Sequence, residues 1–194
     1  DSGTGCVHTA PGHGVEDFVA GAEGVSEDAE QSFGNLSGEQ LNWKADADSW
    51  SVAQCLDHLI KTNDGFNELF ADLAAGTHTP TFMEKWSPLS SLLGNFLMKS
   101  IKNDGKKYKA PTEEIVPPSE LDEKIVGQFN DHQVRLAEKI KSLGHLNWGD
   151  VVITSPFMKM LTYRLDTALE FALEHEKRHI RQAKRVMETQ GFPR

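Results

Sequence analysis

Two histidines one helical turn apart are the residues whose types and spacing most directly indicate chemistry. His175 and His179 lie in the stretch "EFALEHEKRHIRQAKRV", and a four-residue spacing on a helix brings two side chains close enough to share one ion. They continue an inward-facing stripe formed by Leu161, Leu165, Ala168, Ala172, His175, His179 and Val186. Buried neutral imidazoles need hydrogen bonds or a metal, whereas most such pairs on charged helices are surface residues. The spacing alone leaves both interpretations open.

A second helix offers a third imidazole. His58 lies at the edge of the apolar stripe that runs from Val52 to Leu73. Three histidines can hold one face of a metal ion and leave positions open for water or substrate, and neutral imidazole suits zinc, nickel, iron or copper. His132 also lies on an apolar stripe, where it is open as a fourth ligand, a base beside the metal or a core histidine. His78 and His145 fall in turns and are predicted to have no chemical role.

The elements that must position these histidines are predicted to be four long helices. Apolar residues recur at steps of three and four in each of them, as is typical of amphipathic helices. The first starts at Val15, with a possible break near Gly24, and the second runs from a Ser51–Gln54 capping box to Gly76. The third spans Ser119 to Gly144. The fourth spans Thr162 to Gln190, with an additional turn possible at Pro156, and Gly191 and Pro193 close it.

The connections complete a prediction of an all-α fold. A shorter helix is expected in the middle connection at "SPLSSLLGNFLMKSI", and a short extended segment at "NWGDVVITSP". Helices of this length with apolar stripes pack as a four-helix bundle. The glycine-rich residues 1–14 are predicted to be an irregular leader, and residues 15–194 to be the bundle domain.

Composition limits the function classes. The formal net charge is −9, with 29 acidic and 20 basic residues, which argues against a nucleic-acid partner because such proteins need a basic face. Apolar runs are too short for a membrane span. The two cysteines, Cys6 and Cys55, do not form a disulfide framework, so a reducing, cytoplasmic location is expected.

Three motifs carry a resemblance to a known family. The segments "LSGEQLNWKADADSWSVAQCLDHL" and "ALEFALEHEKRHIRQAKRV", with the final "GFP", closely resemble the DinB-like superfamily, and in particular its YfiT-like metal-binding branch, from about residue 23 to residue 194. That resemblance implies a four-helix bundle with a three-histidine site for zinc or nickel, matched here by His58, His175 and His179. It also implies a metal-dependent hydrolase or a thiol S-transferase that uses a low-molecular-weight thiol and a small-molecule substrate.

Further expectations concern the assembly of the protein and the groups around the three histidines. Several family members are homodimers, so a homodimer is possible here. Groups near the three histidines that could orient them are Asp57, Glu174, Glu176 and Gln182, together with His132. No catalytic or substrate-specific residue is predicted. The alternative to an enzyme is a non-catalytic metal-binding bundle, in which the metal only holds two helices together.

The start of the chain carries a second resemblance. Residues 1–18, with "GTGCVHTAPGHGVEDF", look like a fragment of the editing domain of isoleucyl-tRNA synthetases, where the residue matching Asp17 would hold an amino group. The rest of that domain and the HIGH and KMSKS signatures are absent from this sequence. The segment is therefore interpreted as a fused leader, and tRNA editing remains a remote alternative.

Overall fold

The computed structural model describes residues 14–86, 98–99 and 112–194. Its helices in these ranges are α1 (Val15–Phe33), α2 (Gly38–Asn42), α3 (Val52–Asp64), α4 (Asn67–Ala75), α5 (Phe82–Trp86), α6 (Ile125–Ser142) and α7 (Leu165–Glu188), with a 3₁₀ turn at Glu113–Ile115. Strands β1 (Val152–Thr154) and β2 (Thr162–Arg164) pair antiparallel. Apart from this small hairpin, the described residues form an all-α fold, as predicted.

The four longest helices pack as a bundle. Helix α1 packs against α6 and α7, and α3 packs against the same two helices, so α1 and α3 lie at opposite corners. Their buried faces form a continuous apolar interior. The largest fully buried side chains are Phe18, Phe33, Leu41, Leu56, Leu59, Ile125, Phe129, Ile140, Leu143, Ile153, Leu165 and Ile180. The predicted four-helix bundle is therefore correct, and α3 and α7, which carry the three candidate histidines, are direct neighbours.

The first predicted helix is confirmed as a single element, whereas the second was wrong as a single element. Helix α1 continues through Gly24 without a break, because the burial of its Phe18-to-Phe33 face outweighs a glycine cost of about 1 kcal/mol. The predicted second helix is divided into α3 and α4 at Gly65 and Phe66. At Gly65 the ring of Phe157 lies so close that an added Cβ would be 2.4 Å from it, so any larger residue would have to displace that ring.

The last two long helices begin later than predicted. Helix α6 begins at Ile125 rather than Ser119, because Leu121 exchanges two backbone hydrogen bonds of 2.9 Å with the side chain of Asn42. Helix α7 begins at Leu165 rather than Thr162, because residues 162–164 form strand β2. No helical turn forms at Pro156. The predicted extended segment after residue 145 is confirmed as β1.

A buried carboxylate ties α5 to the hairpin. Glu84 accepts hydrogen bonds from the backbone N–H of Thr81 at 2.7 Å and from both the N–H and the hydroxyl of Thr154 at 2.8 Å. His78 adds a contact of 3.1 Å between its Nε2 and Glu84 Oε2. Because four groups converge on one carboxylate, Glu84 fixes α5 against strand β1 of the hairpin.

Several predictions fall outside the part of the chain that the structure describes. Residues 1–13 are not described, so the division between leader and bundle at residue 14 stays a prediction. Of the shorter helix expected in the middle connection only Met98 and Lys99 are described, and both are helical. None of the described helices combines the length and the apolar character that a membrane crossing requires.

Candidate metal centre

Three histidines from two helices converge at one point in the bundle. The Nε2 atom of His175 lies 3.3 Å from Nε2 of His58 and 3.1 Å from Nε2 of His179. All three ligand atoms lie within 4.8 Å of one another. His58 is buried in α3, while His175 and His179 are partly buried in α7. The structure therefore brings together the three residues that the sequence singled out.

The position of His58 is set by the start of α3. Ser51 and Gln54 form a capping box, in which each side chain accepts a hydrogen bond of 3.1 Å from the other's backbone N–H. The Gln54 amide also donates to the carbonyl of Pro118 at 2.9 Å. Nδ1 of His58 donates to the carbonyl of Ile115 at 2.8 Å. A carbonyl can only accept, so Nδ1 carries the proton and Nε2 presents its lone pair to the other two histidines.

Two of the three separations between the nitrogens are those expected for ligands of a single transition-metal ion. With metal–nitrogen bonds of about 2.1 Å, adjacent ligand nitrogens lie roughly 3.0 Å apart at right angles and roughly 3.4 Å apart at the tetrahedral angle. The observed separations from His175 Nε2, 3.1 and 3.3 Å, fall between these values. One N–H on His175 cannot donate a full hydrogen bond to both His58 and His179, whereas a single metal ion can accept the lone pairs of all three imidazoles.

Burial keeps these imidazoles neutral. It lowers the pKa of His179 to about 3, and the charges of His58 and Arg178 act in the same direction. Burial, followed by the charges of His179 and His58, holds the pKa of His175 well below its ordinary value. Burial also lowers the pKa of His58, against the opposing effect of its hydrogen bond to Ile115. Neutral imidazole is the form that binds metals.

Two acidic residues predicted near the histidines are engaged in ion pairs. Asp57 Oδ2 lies 2.8 Å from Lys61 Nζ, one turn along α3. Glu174 Oε1 lies 3.0 Å from Lys177 Nζ on α7. The charge of Asp57 still raises the pKa of His58 to a small extent. Their assignment as residues that orient the site stays a prediction.

Gln182 and His132 occupy different surroundings. The Gln182 side chain accepts from the His179 ring in a weak contact that opposes the lowering of the His179 pKa. The contact does not satisfy His179 Nδ1, which has no partner of good geometry among the described residues. His132 is buried on α6, and its Nε2 lies 3.3 Å from Asp64 Oδ1. It lies outside the three-histidine group. Gln182 is therefore the nearer candidate for orienting a ligand.

A buried polar network beside the site was only partly foreseen. Glu176, which is 1% exposed, accepts hydrogen bonds of 2.7 Å from the amides of Asn63 on α3 and Gln133 on α6. The stripe predicted on α7 is buried at Leu165 and Ala168, but further along the helix the buried residues include Glu176 and Ile180 rather than Ala172 and His175. Pairing of a carboxylate with amides from two other helices leaves no local signal in the sequence. The network links three helices of the bundle next to His175.

A comparison with protein families decides the family. The model of the DinB superfamily matches residues 23–183, a range that contains all three clustered histidines. The chain belongs to the DinB superfamily. The membership accounts for the helical bundle, and the resemblance found in the sequence is confirmed at this level. No solved structure matches the chain significantly.

The curated relatives match only short stretches. An isoleucine–tRNA ligase from Colwellia psychrerythraea is 95% identical over 21 residues, which is 11% of this chain and 2% of that protein. The corresponding ligase from Shewanella sediminis is 40% identical over 75 residues, 39% of this chain and 7% of the ligase. The chain therefore spans only a few per cent of the length of these relatives. These matches are to the same enzyme, isoleucine–tRNA ligase, that residues 1–18 resemble.

Proposed function

We propose that His58, His175 and His179 bind one divalent transition-metal ion, zinc or nickel, and that the DinB-superfamily domain uses it as a catalytic centre. The observation that carries this proposal is the convergence of the three Nε2 atoms, with separations of 3.1 and 3.3 Å from His175. A ligand set of three imidazoles, with no thiolate or carboxylate among the three, suits both zinc and nickel. Three protein ligands also leave coordination positions for water or substrate.

The proposed chemistry is hydrolysis or thiol transfer on a small-molecule substrate. A divalent ion held by three imidazoles lowers the pKa of a bound water or thiol and so supplies a nucleophile near neutral pH. The contribution of the chain itself is orientation, since Ile115 fixes the tautomer of His58 and burial keeps all three imidazoles unprotonated.

A thiol nucleophile would come from outside the described chain. Cys55 is fully buried three residues before His58, and burial raises the pKa of its thiol to about 12. Since the thiolate is the reactive form, Cys55 cannot act as a nucleophile near neutral pH. Among the described residues no other cysteine is present, and the proposed transferase would use the free low-molecular-weight thiol that the family resemblance implies.

The alternative is a metal that only fastens α3 to α7. One observation favours it, namely that His58 is just 4% exposed, which limits access to that ligand. A second observation weighs against it. Asn63 and Glu176 already join α3 to α7 through a buried hydrogen bond of 2.7 Å, so the helices do not need an ion as a fastener. We therefore favour the catalytic reading.

Three further features remain proposals. Homodimer formation and a cytoplasmic location are carried over from the sequence and the family resemblance. Editing of mischarged tRNA is the remote alternative, supported only by matches that cover a few per cent of isoleucine–tRNA ligases. Release of amino acid from mischarged tRNA by the purified chain would favour that alternative.

The test is turnover by metal-loaded protein. Protein reconstituted with zinc or nickel should hydrolyse small esters, or join a low-molecular-weight thiol to an electrophile. Turnover should be lost in His179→Ala and retained in His145→Ala, whose histidine is exposed in a turn. Circular dichroism should show equal helix content in both variants. Metal binding by the wild type without turnover in either assay would favour the fastening role.

A further inference from the structure

Two aromatic rings pack directly on the three candidate ligands. The ring of Trp50 lies with its centroid 4.8 Å from that of His58 and 5.7 Å from that of His179, and it stacks on His179 with an interplanar angle of 23°. Phe171 stacks on His175 at 5.8 Å and 12°. These separations fall in the range of favourable ring–ring contacts. Every imidazole of the cluster therefore contacts an aromatic side chain.

The three imidazoles differ in how else they are held. His58 follows the usual pattern for a metal-binding histidine, in which the nitrogen away from the metal donates to a carbonyl or carboxylate. His179 departs from that pattern, because its buried Nδ1 has no hydrogen-bond partner of good geometry in the described part of the chain. The stack with Trp50 therefore adds a restraint on the plane of the His179 ring beside its weak contact with Gln182.

Trp50 itself is held firmly. It directly precedes Ser51, whose capping box with Gln54 is buried and is tied to Pro118. Its ring is partly buried against the apolar core. Because it contacts one histidine on α3 and another on α7, Trp50 couples the two halves of the site. Phe171, one turn before His175 on α7, restrains the remaining imidazole.

We infer that Trp50 and Phe171 are positioning residues of the three-histidine site, which hold the planes of His179 and His175 by ring stacking. This inference rests on the proposed function, since it concerns the orientation of metal ligands. Neither ring is assigned a role in bond making or breaking. With the stacking lost, His179 samples several ring orientations, and the apparent metal affinity falls with the fraction of molecules that keep the productive one.

The test measures Co²⁺ binding, with Co²⁺ alone as the probe. Trp50→Leu should bind Co²⁺ about 10–100-fold more weakly than wild type, the range seen when groups that orient metal ligands are removed. The visible spectrum of bound Co²⁺, which reports ligand geometry, should change as well. Trp50→Phe keeps an aromatic face and should restore most of the affinity. Phe171→Leu should weaken binding in the same way as Trp50→Leu.

The matched control is Trp43→Leu. Trp43 is also a partly buried tryptophan, and it packs edge-on against Phe192 at 5.5 Å, away from the three histidines. Its loss should lower the melting temperature of the metal-free protein but leave the affinity and spectrum of Co²⁺ unchanged. A general loss of stability is thereby separated from a loss of ligand orientation.

The outcomes distinguish this inference from the proposed function. If wild type binds Co²⁺ while Trp50→Leu and Phe171→Leu bind it with the same affinity and spectrum, the positioning role is wrong and the metal site stands. If wild type binds no Co²⁺, the proposed function fails and the positioning role fails with it. If Trp50→Leu does not fold, Phe171→Leu decides, and unchanged Co²⁺ binding by that variant overturns the inference.

Discussion

The hydrogen bond between Asn63 and Glu176 gives a sharp test of how the bundle supports its site. Asn63 is 4% exposed, and its amide donates to Glu176 Oε1 at 2.7 Å. Replacing Asn63 by alanine removes one donor from a buried carboxylate and leaves Gln133 as the other. Burial raises the pKa of Glu176 to about 7, so the carboxylate is fully charged only well above that pH. Hydrogen bonds to charged groups contribute about 1.5–3 kcal/mol, so under those alkaline conditions we expect Asn63→Ala to lower the free energy of unfolding by about 2–3 kcal/mol.

The assay is chemical and thermal unfolding of protein stripped of metal, so that bound ions do not contribute to stability. A loss of that size should lower the melting temperature by about 5–10 °C, given about 2–4 °C per kcal/mol for a chain of this size. Asn147→Ala is the control, because Asn147 donates to Asp150 at 2.6 Å in an exposed turn. Its effect should stay below about 1 kcal/mol, as for other exposed polar pairs. Equal losses in the two variants would refute the reasoning.

Three further predictions concern other parts of the molecule. Burial raises the pKa of Glu84, but hydrogen bonds from Thr81 and Thr154 outweigh this effect, so the net change is a lowering of the pKa. The stability that the ionised carboxylate contributes is therefore present above its ordinary pKa of about 4.5 and is lost as the pH falls. Glutamine cannot be protonated in this pH range, so the melting temperature of Glu84→Gln should fall less than that of wild type as the pH is lowered. The same fall in melting temperature in both proteins would contradict this. In a Cys6→Ser background Cys55 should react with Ellman's reagent only on unfolding, because it is fully buried; rapid labelling of the native protein would contradict it. The affinity of the three histidines for zinc should decrease at acid pH. Because burial lowers their pKa values, the decrease should begin below the ordinary imidazole pKa of about 6.5. Competition titrations at several pH values measure this affinity, and an affinity independent of pH down to the point of unfolding would contradict the prediction.

The helical fold could be predicted because its determinants are local. Apolar stripes at helical spacing, and a capping box at Ser51, are written in consecutive residues. The errors arose where a distant residue decides the local conformation. Asn42 holds Leu121 outside the helix, so α6 begins later, and the pairing of β1 with β2 delays the start of α7. The ring of Phe157 lies against Gly65, where the predicted second helix is divided.

The three histidines of the candidate site could likewise be predicted from the sequence, but the contacts that orient them could not. The four-residue spacing of His175 and His179 places them on one side of a helix, and the edge of a second apolar stripe offered His58, which the family resemblance then matched. The carbonyl of Ile115, which fixes the His58 tautomer, comes from a 3₁₀ turn 57 residues further along the chain. The stacking by Trp50 likewise depends on how α3 and α7 approach each other. Neither contact has a signal in the sequence around the histidines.

The most direct test of the account is a zinc titration of metal-free protein, with wild type compared to His58→Ala and His145→Ala. Three imidazoles that converge on one point predict one tightly bound zinc per chain in the wild type. His58→Ala should bind far more weakly, and His145→Ala, which changes an exposed histidine in a turn, should bind like wild type. Absence of stoichiometric binding by the wild type, or undiminished binding by a folded His58→Ala, would contradict the three-histidine centre.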